Sequence, residues 1–142
     1  MKIKIKPSTL SGTIEIPPSK SYSHRAVIAA ALTDSENGEI SKVDNLKFSV
    51  DITTTAEIME NWGARITKGE NWLEIMGNNG KVIPEDKYTQ CNESGSTIRF
   101  LIPVGLTNEN ELIFDGKGKL VDRPLDSYYK IFDKQGLKYE MT

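Results

Sequence analysis

The sequence predicts an α/β protein built on a repeated βαβαββ unit, with its helices buried and its sheets on the outside. Three observations carry this reading. The order strand, helix, strand, helix, strand, strand runs once and then begins again. The two passes also align residue by residue. Setting Arg25 on Arg99, an offset of 74, pairs Leu32-Thr33 with Leu106-Thr107. Setting Gly63 on Gly136, an offset of 73, pairs Ile58 with Ile131 and Met59 with Phe132. A repeat of this length is a supersecondary unit rather than a short solenoid motif. Finally, residues 26–32 and 98–106 are apolar almost all round. A helix with no polar face is buried on every side, which reverses the layering of a doubly wound sheet.

The elements follow in order. Residues 12–16 (GTIEI) alternate and read as a strand that Pro17-Pro18 ends. Residues 19–32 form a helix with serines at its start, 39–43 a short strand, and 49–62 a second helix closed by Gly63. Residues 64–67 and 72–76 pair around the turn Lys68-Gly69-Glu70-Asn71. In the second pass, 88–92 is a strand, 94–106 a helix and 111–115 a strand. Residues 124–134 form a helix with proline in its first turn and Gly136 beyond its end, and 137–141 a strand. No counterpart of strand 72–76 follows. A domain seldom stops within a unit on an unpaired edge, so the chain is expected to be part of a longer protein.

Composition narrows the function. A chain of 142 residues, 37% hydrophobic and 27% charged, has room for one domain with a real core and does not read as disordered. A net charge of −2 argues against a nucleic-acid surface, though not against a small basic pocket. One cysteine, Cys91, and one histidine, His24, leave no multi-cysteine or histidine metal cluster, so neither a metal nor a cofactor is expected. The first residues, MKIKIKPSTLSG, have no apolar signal core. No stretch reaches the roughly 18 apolar residues of a membrane span. A cytoplasmic protein is the expectation.

Two segments carry the chemistry, both where a strand enters a helix. Such helix ends present unpaired N–H groups and a positive partial charge to phosphate or carboxylate. The first is Pro18-Ser19-Lys20-Ser21-Tyr22-Ser23-His24-Arg25. Ser21 and Arg25, four apart, share a helix face. Lys20 adds a point charge, and Arg25 can grip an anion in a fork. The second is Asn92-Glu93-Ser94-Gly95-Ser96-Thr97-Ile98-Arg99, where Gly95 would let a ligand approach the backbone. A third, Asp122-Arg123-Pro124, precedes the last helix; by itself it reads as a surface pair. His24 reads as packing at its helix start or facing solvent, and Cys91 as a small buried hydrophobe. Gly116-Lys117-Gly118-Lys119 lacks the full phosphate-loop spacing and reads as a flexible turn. Trp62 and Trp72 read as packing residues.

Together these segments resemble the 5-enolpyruvylshikimate-3-phosphate synthases. The family's PGSKS-x-S-x-R opening is matched by PPSKSYSHR, with Pro18 where glycine is usual. Its GNAGT or GNSGT segment ending in arginine is matched by CNESGSTIR, which keeps Gly95 and Arg99 and carries Glu93 in place of the usual asparagine. Its helix-opening Arg-Pro is matched by Arg123-Pro124, and Ser49 and Asp51 look like the family's acidic second-helix start.

The resemblance implies a two-domain fold with three βαβαββ units per domain. Residues 1–19 would belong to the other domain, and 20–142 would supply nearly two units of one. It implies transfer of the enolpyruvyl group of phosphoenolpyruvate to the 5-hydroxyl of shikimate 3-phosphate, with release of phosphate and no metal, on the route to chorismate and the aromatic amino acids. Lys20, Ser21 and Arg25 would hold shikimate 3-phosphate. Lys20, Gly95 and Arg123 would hold phosphoenolpyruvate, where glyphosate also binds, and Lys20 would act in catalysis. The acid and base residues of the family lie in the second domain, so the chain alone would be inactive. Two alternatives stand beside this: the sister enzyme acting on UDP-N-acetylglucosamine, and a stand-alone anion-binding module of two repeats.

Overall fold

A computed structural model describes residues 2–141. Ten short elements appear in order: α1 (Lys20–Ala31), β1 (Ser41–Val43), α2 (Val50–Asn61), β2 (Arg65–Lys68), β3 (Leu73–Met76), β4 (Tyr88–Gln90), α3 (Gly95–Gly105), β5 (Ile113–Asp115), a 3-10 turn (Gly118–Leu120) and α4 (Asp126–Gln135). Three helices begin the same way. Ser19, Ser49 and Ser94 accept from Tyr22 N, Ile52 N and Thr97 N, filling one orphan donor at each N-terminus. α4 closes on Gly136 in the left-handed region, φ 68°.

The first unit lays helices α1 and α2 on a three-stranded antiparallel sheet of order β1-β3-β2. In β3 the inward Leu73 and Ile75 are buried while Glu74 and Met76 are only half so, the alternation of a sheet with one face on a core. In the second unit β4 and β5 pair in parallel, joined through α3. α1 packs against α2, α3, β1 and β3, so it lies inside and the sheets outside. Val27, Ala31, Ile52, Met59, Trp62, Leu73, Ile75 and Leu101 form the fully enclosed centre. In α1 the exposed positions are Lys20, Ser21, Tyr22, Arg25 and Ala29, with the rest covered or half-covered, and in α3 Pro103 alone is exposed. Trp62 packs in the core, and Trp72 lies over Gly69 at the β2–β3 turn.

Two expected strands are not formed. Residues 12–16 have no ladder partner, and Ile14 and Ile16 are 84% and 79% exposed. A strand exists only through a neighbour's hydrogen bonds and a covered apolar face, and this segment has neither here. Residues 137–141 likewise carry no ladder; Tyr139 instead stacks on Tyr129 of α4 with centroids 5.3 Å apart. Two smaller differences have local causes. α4 begins at Asp126, with Leu125 as its cap, so Pro124 precedes the helix rather than filling its first turn. The Gly116–Lys119 segment is held rather than loose, because Lys117 N–H donates to the Asn92 carbonyl at 2.7 Å and a 3-10 turn follows.

Candidate anion-binding site at three helix N-termini

The site is assembled by the loop from β4 into α3. Asn92 sits at φ 50°, a left-handed turn that asparagine tolerates. Its Nδ2 donates to Thr54 Oγ1 on α2 at 2.8 Å. Lys117 N–H and the Cys91 N–H→Asp115 carbonyl bond (2.8 Å) tie the same loop to the segment after β5. The result places the first turn of α3 beside α2 on one side and beside the approach to α4 on the other.

A chain of buried hydroxyls fastens the three helices at this end. His24 Nδ1 lies 2.8 Å from Thr55 Oγ1, Thr55 Oγ1 2.8 Å from Thr97 Oγ1, and Thr97 Oγ1 2.6 Å from Ser94 Oγ. Thr55 Oγ1 also donates to the Asp51 carbonyl at 3.1 Å. The chain thus runs from α1 through α2 to the cap of α3. His24, Thr55, Ser94 and Thr97 are all buried. Burial holds the His24 imidazole below its ordinary pKa; Asp51 pulls the other way, and Lys20 and Arg25 reinforce the lowering. A neutral ring follows, consistent with Nε2 finding no partner among the described residues.

The charged groups flank this chain. Lys20 Nζ pairs with the Asp51 carboxylate in the first turn of α2. Arg25 Nη1 donates to the Ser21 carbonyl at 2.9 Å and to Ser21 Oγ at 2.7 Å, and its guanidinium carbon lies 4.6 Å from the centre of the Phe100 ring. Arg99 Nη1 donates to the Gly95 carbonyl at 3.0 Å and Nη2 to the Pro124 carbonyl at 3.1 Å. A Cβ on Gly95 would lie 2.5 Å from Arg123 Nη1 and 2.8 Å from Arg99 Nη1. The open space expected at Gly95 is therefore occupied by two guanidinium groups. A cleft of about 390 Å³ opens beside it, lined by Val50, Asp51, Asn92, Glu93 and Lys117.

The sequence-predicted residues thus fall into two groups. Lys20, Ser21 and Arg25 share the start of α1; Gly95 and Arg123 meet at the start of α3. Asp51 links them, its carboxylate on Lys20 and its carbonyl 3.5 Å from Thr97 Oγ1. Sequence reasoning missed Thr55 and Phe100, which are ordinary core-helix residue types with no local signal; it placed Thr97 in the second segment as a hydroxyl, but not its bond to Thr55. The one available hint for Thr55 was a polar residue on an otherwise apolar helix face. Cys91 behaves as expected: it is enclosed, and burial pushes its thiol up to about 12. Among the described residues no group of three or more His, Cys, Asp or Glu is placed to hold a metal ion. The arrangement concentrates helix-end N–H groups, one lysine and three arginines, which suits a ligand with two separated anionic groups.

Residues 4–142 match the sequence model of the EPSP synthase (3-phosphoshikimate 1-carboxyvinyltransferase) family. The chain is 50% identical over 143 aligned positions to a 3-phosphoshikimate 1-carboxyvinyltransferase of Clostridium beijerinckii, which covers 96% of this chain and 32% of that protein. It is 47% identical to the protein of the same name from Clostridioides difficile, covering 96% and 32%. Among solved structures it resembles an EPSP synthase from Acinetobacter baumannii, with TM-score 0.79, 20% identity, and 92% of this chain and 29% of that one covered. The chain spans about a third of the length of the curated relatives it matches.

Proposed function

The chain belongs to the EPSP synthase (3-phosphoshikimate 1-carboxyvinyltransferase) family, and on that premise we propose that it forms one anion-binding face of an enolpyruvyl transferase. The reaction joins phosphoenolpyruvate to the 5-hydroxyl of shikimate 3-phosphate. The 5-hydroxyl gives up its proton to a base as its oxygen adds to C2 of phosphoenolpyruvate, and C3 takes up a proton to become a methyl group. Loss of one methyl proton from C3 and cleavage of the bond from C2 to the phosphate oxygen then restore the double bond and release phosphate. Residues 20–142 would contribute nearly two of the three units of one domain, and residues 1–19 would belong to the other. The remaining contacts and the proton-transfer groups would come from the further portion that the longer relatives possess. The substrates are phosphate esters that do not cross a membrane unaided, so a cytoplasmic place of action is part of the proposal. Among the described residues no helix is long and apolar enough to cross one.

The observation that carries this is the meeting of the α1, α2 and α3 N-termini, with Lys20 and Arg25 on one flank and Arg123 over Gly95 on the other. Ser21 and Arg25, already hydrogen-bonded, suit the phosphate of shikimate 3-phosphate. Arg123 and the Gly95 end of α3 suit phosphoenolpyruvate. Lys20 sits between, and its Asp51 partner must share it with a ligand phosphate. Losing one charge-assisted bond costs about 1.5–3 kcal/mol, or about 10- to 150-fold in affinity.

In the full-length enzyme, Arg25→Ala is expected to raise the KM for shikimate 3-phosphate more than that for phosphoenolpyruvate, and Arg123→Ala the reverse. Lys20→Ala should damage both and lower kcat. Equal effects of both arginine variants on both KM values would remove the two-pocket assignment. Binding of UDP-N-acetylglucosamine in preference to shikimate 3-phosphate would transfer the reading to the sister enzyme.

A further inference from the structure

We propose that Phe100 is a positioning residue, whose ring on the second repeat holds the Arg25 guanidinium of the first repeat in the orientation that receives an anionic ligand. This rests on the assignment of Arg25 to an anion site made above. A guanidinium is planar and offers five N–H donors. In Arg25 one nitrogen, Nη1, is committed twice to Ser21, at its carbonyl and its hydroxyl. Those two bonds fix the rotation of the fork within its plane, but leave the tilt of the plane open. The Phe100 ring face, 4.6 Å from the guanidinium carbon, sets that tilt. No hydrogen bond from Nε or Nη2 is made among the described residues, so the paired edge that matches an oxyanion stays available.

Phe100 is itself well placed to act as a fixed platform. It follows Arg99, whose guanidinium is tied to Gly95 and Pro124, and precedes the fully buried Leu101. Its ring lies 6.2 Å from the His24 ring, tilted by 59°. His24 is pinned in turn by Thr55. The two repeats are thereby coupled at the ligand face: α2 fixes His24 of α1, His24 lies against Phe100 of α3, and Phe100 returns to Arg25 of α1. A leucine at position 100 would keep the apolar contact and lose the ring face, whereas a tyrosine would keep both.

The test uses the 142-residue chain, inorganic phosphate and shikimate 3-phosphate as titrants, and the variants Phe100→Leu, Phe100→Tyr, Arg25→Ala and the Leu/Ala double. In the unsubstituted chain the Arg25 side-chain proton resonances are expected upfield of free arginine through the ring current of Phe100. Their absence would overturn the stack without any variant. Phe100→Leu should abolish that shift and weaken anion binding by about two- to fivefold, the range of an exposed cation–π contact. Phe100→Tyr should bind as the unsubstituted chain does. The double variant should bind no more weakly than Arg25→Ala alone, because a residue acting through Arg25 has nothing left to act on. A Phe100→Leu penalty that persists without Arg25 would make the ring a packing residue only and overturn the proposal. Phosphate binding that depends on both residues, with no shikimate 3-phosphate binding, would sink the proposed substrate and leave the positioning role standing. Shikimate 3-phosphate binding that depends on Arg25 but not on Phe100 would do the opposite. A chain that binds neither anion overturns both.

Discussion

Gly95 is the residue where packing and ligand binding compete most directly. It is the first residue of α3, where alanine would be the better helix former by up to about 1 kcal/mol. Against this, its Cβ would displace the ends of Arg123 and Arg99. Both are the flexible tips of long side chains, so the displacement costs little stability. Gly95→Ala is therefore expected to leave the thermal midpoint within about 3 °C of the original, while phosphoenolpyruvate affinity falls about tenfold as Arg123 leaves its place. A thermal melt and a phosphoenolpyruvate titration on the same sample check both halves. At this scale the sequence showed which polar residues share a helix start, but not which of them partner across elements. Lys20, Ser21 and Arg25 are adjacent along one helix start, so their spacing was readable. The Lys20–Asp51 pair spans α1 and α2, and the Gly95–Arg123 contact spans the β4–α3 loop and the approach to α4. Neither separation carries any periodic signal.

Among the elements, α3 and α4 show how a local defect becomes a tertiary bond. Pro103 lies inside α3 and has no N–H, so the Arg99 carbonyl four residues earlier loses its helical partner. Tyr128 on α4 supplies the replacement, its hydroxyl donating to that carbonyl at 2.7 Å. Tyr128→Phe should cost about 1 kcal/mol, or about 3 °C in the midpoint of a chain this size; an unchanged melt would show that water serves the carbonyl equally well. The α1–α2–α3 junction makes a pH-dependent prediction. His24 is held neutral chiefly by burial, with Asp51 opposing and Lys20 and Arg25 assisting, so its folded pKa lies below the unfolded value near 6.5. Between those two values the unfolded chain binds a proton that the folded chain does not. This contribution to stability is complete above the unfolded pKa and is lost as pH falls toward the folded one, with a slope of up to about 1.4 kcal/mol per pH unit. Urea melts at pH 7.5, 6 and 5 should show the decline, and His24→Gln should flatten it. Helices were the most legible elements, because apolar periodicity and a serine cap are written in consecutive residues. α1, α2 and α3 begin within a residue or so of the predicted starts. Strands were less so: β1, β4 and β5 are each shorter than expected, since where a ladder stops is decided by the partner strand.

At the scale of the whole molecule, the segment before Ser19 stands apart from everything else. Residues 2–17 are exposed, and among the described residues none of 2–18 makes a hydrogen bond. Ile3, Ile5, Ile14 and Ile16 nevertheless alternate with Lys4 and Glu15, the pattern of a strand with one face to bury. The strand expected at 12–16 is not formed here, because a strand's state depends on a neighbour that the pattern cannot supply. Covering each isoleucine is worth about 1.5–3 kcal/mol, so a partner edge would gain several kcal/mol from this segment, while the folded core gains nothing. That asymmetry gives a test of the proposed domain division. Deleting residues 2–17 retains the Ser19 cap of α1 and should leave the helical circular dichroism and the thermal midpoint unchanged within about 2 °C. Amide exchange should find residues 2–17 unprotected in the 142-residue chain. In a protein of the relatives' full length the same amides around Ile14 should become protected, because the other domain would then provide the missing ladder. Protection of those amides in the short chain, or a midpoint lowered by the deletion, would mean that the segment packs on residues 20–142 and belongs to the same unit.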